Sequence, residues 1–351
     1  MSNQNSRKEL TNNEIATFCS QFSMMISAGI TISESLRLIQ SDSEDSEGKE
    51  IISDILFHLN NGENLYQSMS APRVFPKYLL DMIHVGEQTG NLDHVFTSLA
   101  NYYEREENIS RGIKTAVTYP FIMIAMMICV ILVLIIKVLP IFEQVFNQLG
   151  SSMTGFSGSI MKLGTTLSKY SFIFIGIFVS IILFYIFLTH SNAGKSKLVD
   201  FASGFVLTRD LYESIAAGRF ASGMALALGS GFNPEQGIEM IYELISNKYY
   251  LKKLDLCRVH LQTGDHFADA VIKSNLFTNS YGRMISIGFK TGKLDDVMNK
   301  VASQYENDVD YKISHYVSIL EPTLVAILSI IVGMILLSVM LPLMGIMSSI
   351  G

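Results

Sequence analysis

Three stretches of this chain are long and apolar enough to cross a lipid bilayer, and they leave few folds open. They run from Val117 to Leu139, from Tyr170 to Leu188 and from Val317 to Met347. A spanning helix needs roughly 20 predominantly apolar residues, because its backbone polar groups find no water in the hydrocarbon core. Three such runs are too many to be core helices of a soluble chain with 351 residues. The second run holds no charge, and the first holds only Lys137, whose stem lets the ammonium reach the interface. The spans are placed at residues 116–140, 170–189 and 317–347.

Basic residues near the span ends set the orientation. Arg105, Arg111 and Lys114 precede the first span, Lys195 and Lys197 follow the second, and Lys312 precedes the third. The connector 141–169 offers only Lys162 and Lys169, and nothing basic follows the third span. The large segments 1–115 and 190–316 are therefore expected in the cytoplasm, with the connector and the C-terminus outside. Residues 1–14 are polar, so no secretory leader is expected before the first domain.

The two large segments repeat one another at a constant offset of 202 residues. The block GEQTGNLD at 86–93 matches GFKTGKLD at 288–295 at five of eight positions. Phe18, Gly29, Ile39, Gly62, Phe75, Val95 and Tyr103 match Phe220, Gly231, Ile241, Gly264, Phe277, Val297 and Tyr305 without a gap. The register continues to Pro120 and Pro140, which match Pro322 and Pro342. The duplicated unit is a domain plus its anchor, and the middle span returns the chain to the same side.

Within a copy the apolar residues follow a helical period. Ile15, Phe18, Phe22, Met25 and Ile26 form one stripe, closed at Ala28-Gly29. Helices follow over 33–40 with Ser33 as N-cap, over 49–60 after a polar loop at 41–50, and over 77–87. A last helix from Leu92 continues into the first span, and Leu294 begins its counterpart. With no alternating pattern for a sheet, the chain is read as all-α: two homologous cytoplasmic six-helix bundles and three transmembrane helices.

Catalytic and nucleotide chemistry is not written in the chain. Gly194-Lys195-Ser196 ends like a phosphate loop, but Thr189 stands where that loop needs glycine. The seven His are scattered, and Cys19, Cys129 and Cys257 are neither paired nor spaced for a metal. Neither an enzymatic activity nor a cofactor or metal is expected. The net charge of −6 also argues against nucleic acid as a partner.

A few residues stand out as candidates for contact. Glu321 and Pro322 lie at the third span's entrance, where a carboxylate is costly unless paired or hydrated. Tyr119-Pro120 sits at the matching point of copy one. Glu87 has no counterpart in copy two, where Phe289 replaces it. Gly29, Gly86, Gly90, Gly231, Gly288 and Gly292 are assigned to structural corners. Residues 1–115 contain 9 Lys+Arg and 16 Asp+Glu, whereas 190–316 contain 14 of each, so copy one is expected to meet a basic surface.

Taken together, these motifs resemble the inner-membrane platform proteins of type II secretion systems and type IV pili, the GspF/PilC family. The residues that carry the resemblance are the SAG-I and GSG-F helix ends, the two G-x-x-T-G-x-L corners, Tyr119-Pro120 and Glu321-Pro322. It covers residues 14 to 345, and the short N-terminal segment is similar to the pilus or competence-pseudopilus members. It implies a coupler in the cell inner membrane, forming a homodimer in contact with membrane lipid. The implied partners are a cytoplasmic hexameric assembly ATPase, pilin or pseudopilin subunits and other inner-membrane assembly proteins. The competing reading, an oligomeric transporter or channel subunit, is weakened by spans with almost no polar lining.

Overall fold

The computed structural model describes residues 8–43, 45–148, 176 and 208–350. The expected span at 170–189, most of the 141–169 connector and the start of the 190–316 domain lie outside the described residues. Every regular element among the described residues is helical. The chain divides into a unit built from Met1–Gly112 with Ser203–Tyr311, and a second built from Ile113–Ala202 with Lys312–Gly351.

Copy one contributes α1 (Asn12–Ser27), α2 (Ile32–Asp42), α3 (Ser46–Asn60), α4 (Leu65–Ser70), α5 (Lys77–Thr89) and α6 (Leu92–Val133). A π-turn at Leu134–Val138 and α7 (Leu139–Gln148) follow. Copy two contributes α8 (Arg209–Gly229), α9 (Pro234–Tyr242), α10 (Lys248–Gln262), α11 (Phe267–Lys273), α12 (Asn279–Thr291) and α13 (Leu294–Ile350). Adding 202 to α3 gives α10 residue for residue, and adding it to α5 gives α12. The left-handed residues recur at the same offset, including the two non-glycines Arg73 (φ 55°) and Asn275 (φ 51°). The repeat is thus one backbone used twice, each time with the same locally strained turn.

Side-chain caps fix where the helices begin. Thr11 closes a capping box with Glu14 at the start of α1. The start of α2 corrects the expectation of Ser33: Thr31 is the N-cap, its hydroxyl accepting from the Glu34 N–H at 3.3 Å, and Ser33 lies inside the helix. α3 also starts earlier than expected, because Asp45 accepts from the N–H groups of Glu47 and Gly48. The helix α4, absent from the sequence reading, starts on an Asn64–Gln67 capping box.

In the first unit α1 and α8 occupy equivalent places but not equivalent surroundings. α1 buries Ile15, Cys19, Phe22 and Ser23 and shows its other face to solvent. α8 is buried on nearly all sides, as its sequence foretells: IAAGRFASGMALALG is small or apolar around the whole helix. Its face toward copy one holds Leu226, where α1 has Met24. Leu226 is 3 % exposed and Met24 64 %. On the same face, Ser222 is buried, whereas its counterpart Ser20 is exposed. The junction between copies therefore uses a face of α8 that α1 leaves open, a heterologous contact.

The second unit holds the apolar parts of α6 and α13. Among the described residues, Leu92–Val138 and Leu294–Leu337 are long and apolar enough to cross a membrane. Their apolar side chains stay uncovered, Ile122, Met126, Val130 and Val133 on one and Ile330, Leu336 and Leu337 on the other. That is the reverse of a soluble core helix. The π-turn ends at Val138, two residues before Pro140. Proline donates no N–H, so the ladder loses a bond there, and one wide turn absorbs the gap. Helix α7 then continues to Gln148, into the stretch read from sequence as loop from 141.

Candidate interaction sites

At the junction of the copies, α8 places Arg219 in a run of small residues where α1 carries Thr17. Its guanidinium forks onto Glu106 of α6: Nε donates to Oε1 at 2.9 Å and Nη2 to Oε2 at 2.5 Å. A third donor reaches the Leu244 carbonyl at 3.4 Å. Burial works against the charge on Arg219, but the adjacent Glu106 carboxylate more than offsets it and holds the guanidinium above its ordinary value. Next along α6, Arg105 faces Glu306 of α13 at 3.6 Å and donates to the Ser222 hydroxyl at 3.4 Å.

Two tyrosine and lysine contacts extend the same junction. Tyr78 of α5 donates its buried hydroxyl to the Gly223 carbonyl at 3.0 Å. Lys77 meets Glu243 at 3.1 Å on the surface. Sequence reasoning did not single out these residues. The one visible signal was Arg219 itself, an isolated charge inside an apolar run, which must be paired if the run is buried.

The expected corner glycines divide into two kinds. Gly29 and Gly231 follow α1 and α8 with positive φ, and Gly90 and Gly292 cap α5 and α12 at φ 69°. Gly86 and Gly288 are inside helices, and their reason is space. A Cβ on Gly86 would stand 2.8 Å from Val95 Cγ2, and one on Gly288 2.7 Å from Val297 Cγ2. The G-x-x-x-G pattern thus serves two needs: close approach of α5 to α6, then a left-handed stop.

Glu87 turns inward along the chain. Its two carboxylate oxygens accept the N–H groups of Leu65 at 2.7 Å and Tyr66 at 3.2 Å, the first residues of α4. This satisfies orphan donors at a helix start. In copy two Phe289 packs instead beside His266 and Phe267 at the start of α11, with ring centroids 6.2 and 6.4 Å away.

In the second unit, the Tyr119 hydroxyl donates to Glu321 Oε1 at 3.2 Å. Pro120 and Pro322 are interior to their helices, since α6 begins at Leu92 and α13 at Leu294. Glu321 consequently has no helix N-terminus to stabilise it, and its partner is a phenol on the other long helix. Among the described residues, Cys19 and Cys257 are buried free thiols, and burial pushes Cys257 up to about 11.

Comparison with known proteins adds a further finding. The family model for type II secretion system (T2SS), protein F, matches twice, at residues 18–140 and 220–342. Both ends of the two matches are related by the 202-residue offset. The type IV pilus assembly protein PilC of Myxococcus xanthus is 26% identical over 339 residues, covering 96% of this chain and 81% of that protein. PilC of Thermus thermophilus is 24% identical over 337 residues, with 96% and 83% covered. The type II secretion system protein F of Aeromonas hydrophila is 21% identical over 340 residues, with 96% and 87% covered.

Proposed function

Because the chain belongs to the family of type II secretion system protein F, we propose that it is the inner-membrane platform of a type IV pilus or type II secretion machine. The observation that carries this reading is the double family match, each copy joined to a long helix whose apolar surface is left uncovered. The relatives span nearly the same length and are named for pilus assembly and type II secretion. On this reading the chain crosses the inner membrane at 116–140, 170–189 and 317–347. The domains 1–115 and 190–316 then lie in the cytoplasm, and the C-terminus outside.

The proposed role is mechanical rather than enzymatic. A cytoplasmic assembly ATPase engages the inward domains, and the platform, acting as a homodimer, passes the motion to pilin or pseudopilin subunits leaving the membrane. Glu87, Glu321, Pro322, Tyr119 and Pro120 are proposed as contact or membrane-interface positions. Detergent-solubilised protein should co-purify with the motor ATPase and with a pilin-like subunit, and deletion should abolish the filament. A deletion strain that still assembles filaments would refute the role. A reporter active only in the cytoplasm should be silent when fused after Gly351.

A further inference from the structure

Copy one carries a groove that copy two has filled from within. It lies between α1, α2 and α3, encloses about 440 Å³, and has an apolar floor that includes Phe18, Ile39, Ile51, Ile55 and Phe75. Its mouth carries the exposed carboxylates Glu9, Asp42, Asp45 and Glu47, and among the described residues Lys8 is the one cation lining it. In copy two the position of Gly48 is taken by Tyr250, which is fully buried with its ring 6.0 Å from Phe220, the counterpart of Phe18. The position of Ile51 is taken by Lys253, which pairs with Glu213, the counterpart of Thr11. The fold itself thus shows what this cleft accepts: an aromatic ring, with an ammonium three residues further on against a carboxylate.

We infer that the copy-one groove docks a basic segment of a partner protein that presents an aromatic side chain beside a lysine or arginine. The ring seats against Phe18 and Phe75, and the cation meets Asp42, Asp45 and Glu47 at the rim. Aromatic anchors in apolar clefts supply most of the affinity of such contacts, and the rim charge supplies partner choice and encounter rate. A Cβ on Gly48 would stand 3.1 Å from the Ser43 hydroxyl, a side-chain end that must give by a few tenths of an ångström, and 3.8 Å from the Asp45 carboxylate. This inference rests on the geometry of copy one and not on the platform reading.

The test uses the full chain in detergent and a fluorescein-labelled peptide with the sequence of residues 247–254, NKYYLKKL. Fluorescence anisotropy should show saturable binding that weakens as salt rises. Replacing the tyrosine equivalent to Tyr250 by alanine in the peptide should remove binding. Gly48→Tyr fills the groove as copy two does, and should abolish binding while the melting temperature stays at or above that of the parent. The pair Asp42→Asn with Glu47→Gln should weaken binding by roughly tenfold, the scale of one or two exposed charge contacts. Binding that survives both Gly48→Tyr and the rim pair overturns the inference, as does an absence of peptide binding to the parent. A benzophenone placed at Gln21 should cross-link the peptide; cross-linking to residues 1–7 of the same chain, or to lipid, in the peptide's presence overturns it. Peptide binding is read on purified protein and filament assembly in cells, so either reading can fail alone.

Discussion

Tyr119 and Glu321 occupy the same position of the two repeats, 202 residues apart, and they are hydrogen-bonded to each other at 3.2 Å. Two copies of one position have diverged into a donor and an acceptor. Each is followed by a proline inside a long helix. The bond ties the two long helices of the second unit to each other at one level.

That pairing predicts a non-additive mutational pattern. Glu321→Ala should impair filament assembly while leaving the protein inserted, because it leaves the tyrosine without its acceptor. Glu321→Gln retains a carbonyl acceptor and should keep much of the activity. Tyr119→Phe should resemble Glu321→Ala, and the double variant should be no worse than either single one. Filament counts with membrane fractionation check this, and additive losses would show that the two residues act separately.

The Arg219–Glu106 fork should behave as a part-buried ion pair. Arg219→Met removes the cation and leaves the Glu106 carboxylate enclosed, at a cost of about 3 kcal/mol. Adding Glu106→Leu should recover most of that loss, since two apolar side chains need no partner. Melting temperatures of the three variants in one detergent give the answer. A double variant as unstable as Arg219→Met alone would contradict it.

Gly86→Ala and Gly288→Ala should each destabilise by roughly 1–3 kcal/mol through overpacking against the following helix. Pairing Gly86→Ala with Val95→Ala should relieve much of the clash, because only Val95 Cγ2 lies under 3 Å, whereas Val297→Ala should not rescue Gly288→Ala, since Val297 Cβ itself stands at 2.9 Å and the Lys293 carbonyl at 3.2 Å. Thermal melts check this, and equal losses for Gly86→Ala with and without the valine change would remove contact with Val95 as the cause.

Asp265 supplies a pH dependence with a definite sign. Its hydrogen bond from Lys273 holds it below the usual carboxylate range, with burial opposing and His260 adding to the effect. A group whose folded value is depressed contributes stability above its unfolded value of roughly 4, and that contribution fades as pH falls through the folded one. Asp265→Asn should therefore lower the melting temperature by a near-constant amount above about pH 6 and converge with the parent at low pH, flattening the acid limb of the plot. A flattening on the alkaline side instead would contradict the assignment.

The features legible in the sequence were those whose cause is local. Gly90 and Gly292 announce helix ends because a left-handed cap needs glycine at that residue and nowhere else. The repeat was legible because its register never slips. Short helices were not: α4 has six residues, under two turns, so no apolar period can form, and only its Asn64–Gln67 box marks it. Ser33 and Thr31 are two hydroxyls two residues apart, and the true cap is set by which one reaches an N–H three residues on. Glu87 stood out as a candidate contact for want of a counterpart in copy two, but the N–H groups it serves were not legible, since they lie 21 and 22 residues away. Arg219 advertised a need for a partner but could not name it, since Glu106 is 113 residues distant.

The heterologous junction makes the duplication irreversible. A chain built from two first copies would set Thr17 where Arg219 stands, stranding Glu106 without the guanidinium that forks onto it. A chain built from two second copies would replace Glu106 by the shorter Asp308 and Tyr78 by Ser280. Neither half can stand in for the other. Once the ancestral unit was fused to its twin and one side of the seam was recut, gene conversion between the halves became a lesion instead of a repair.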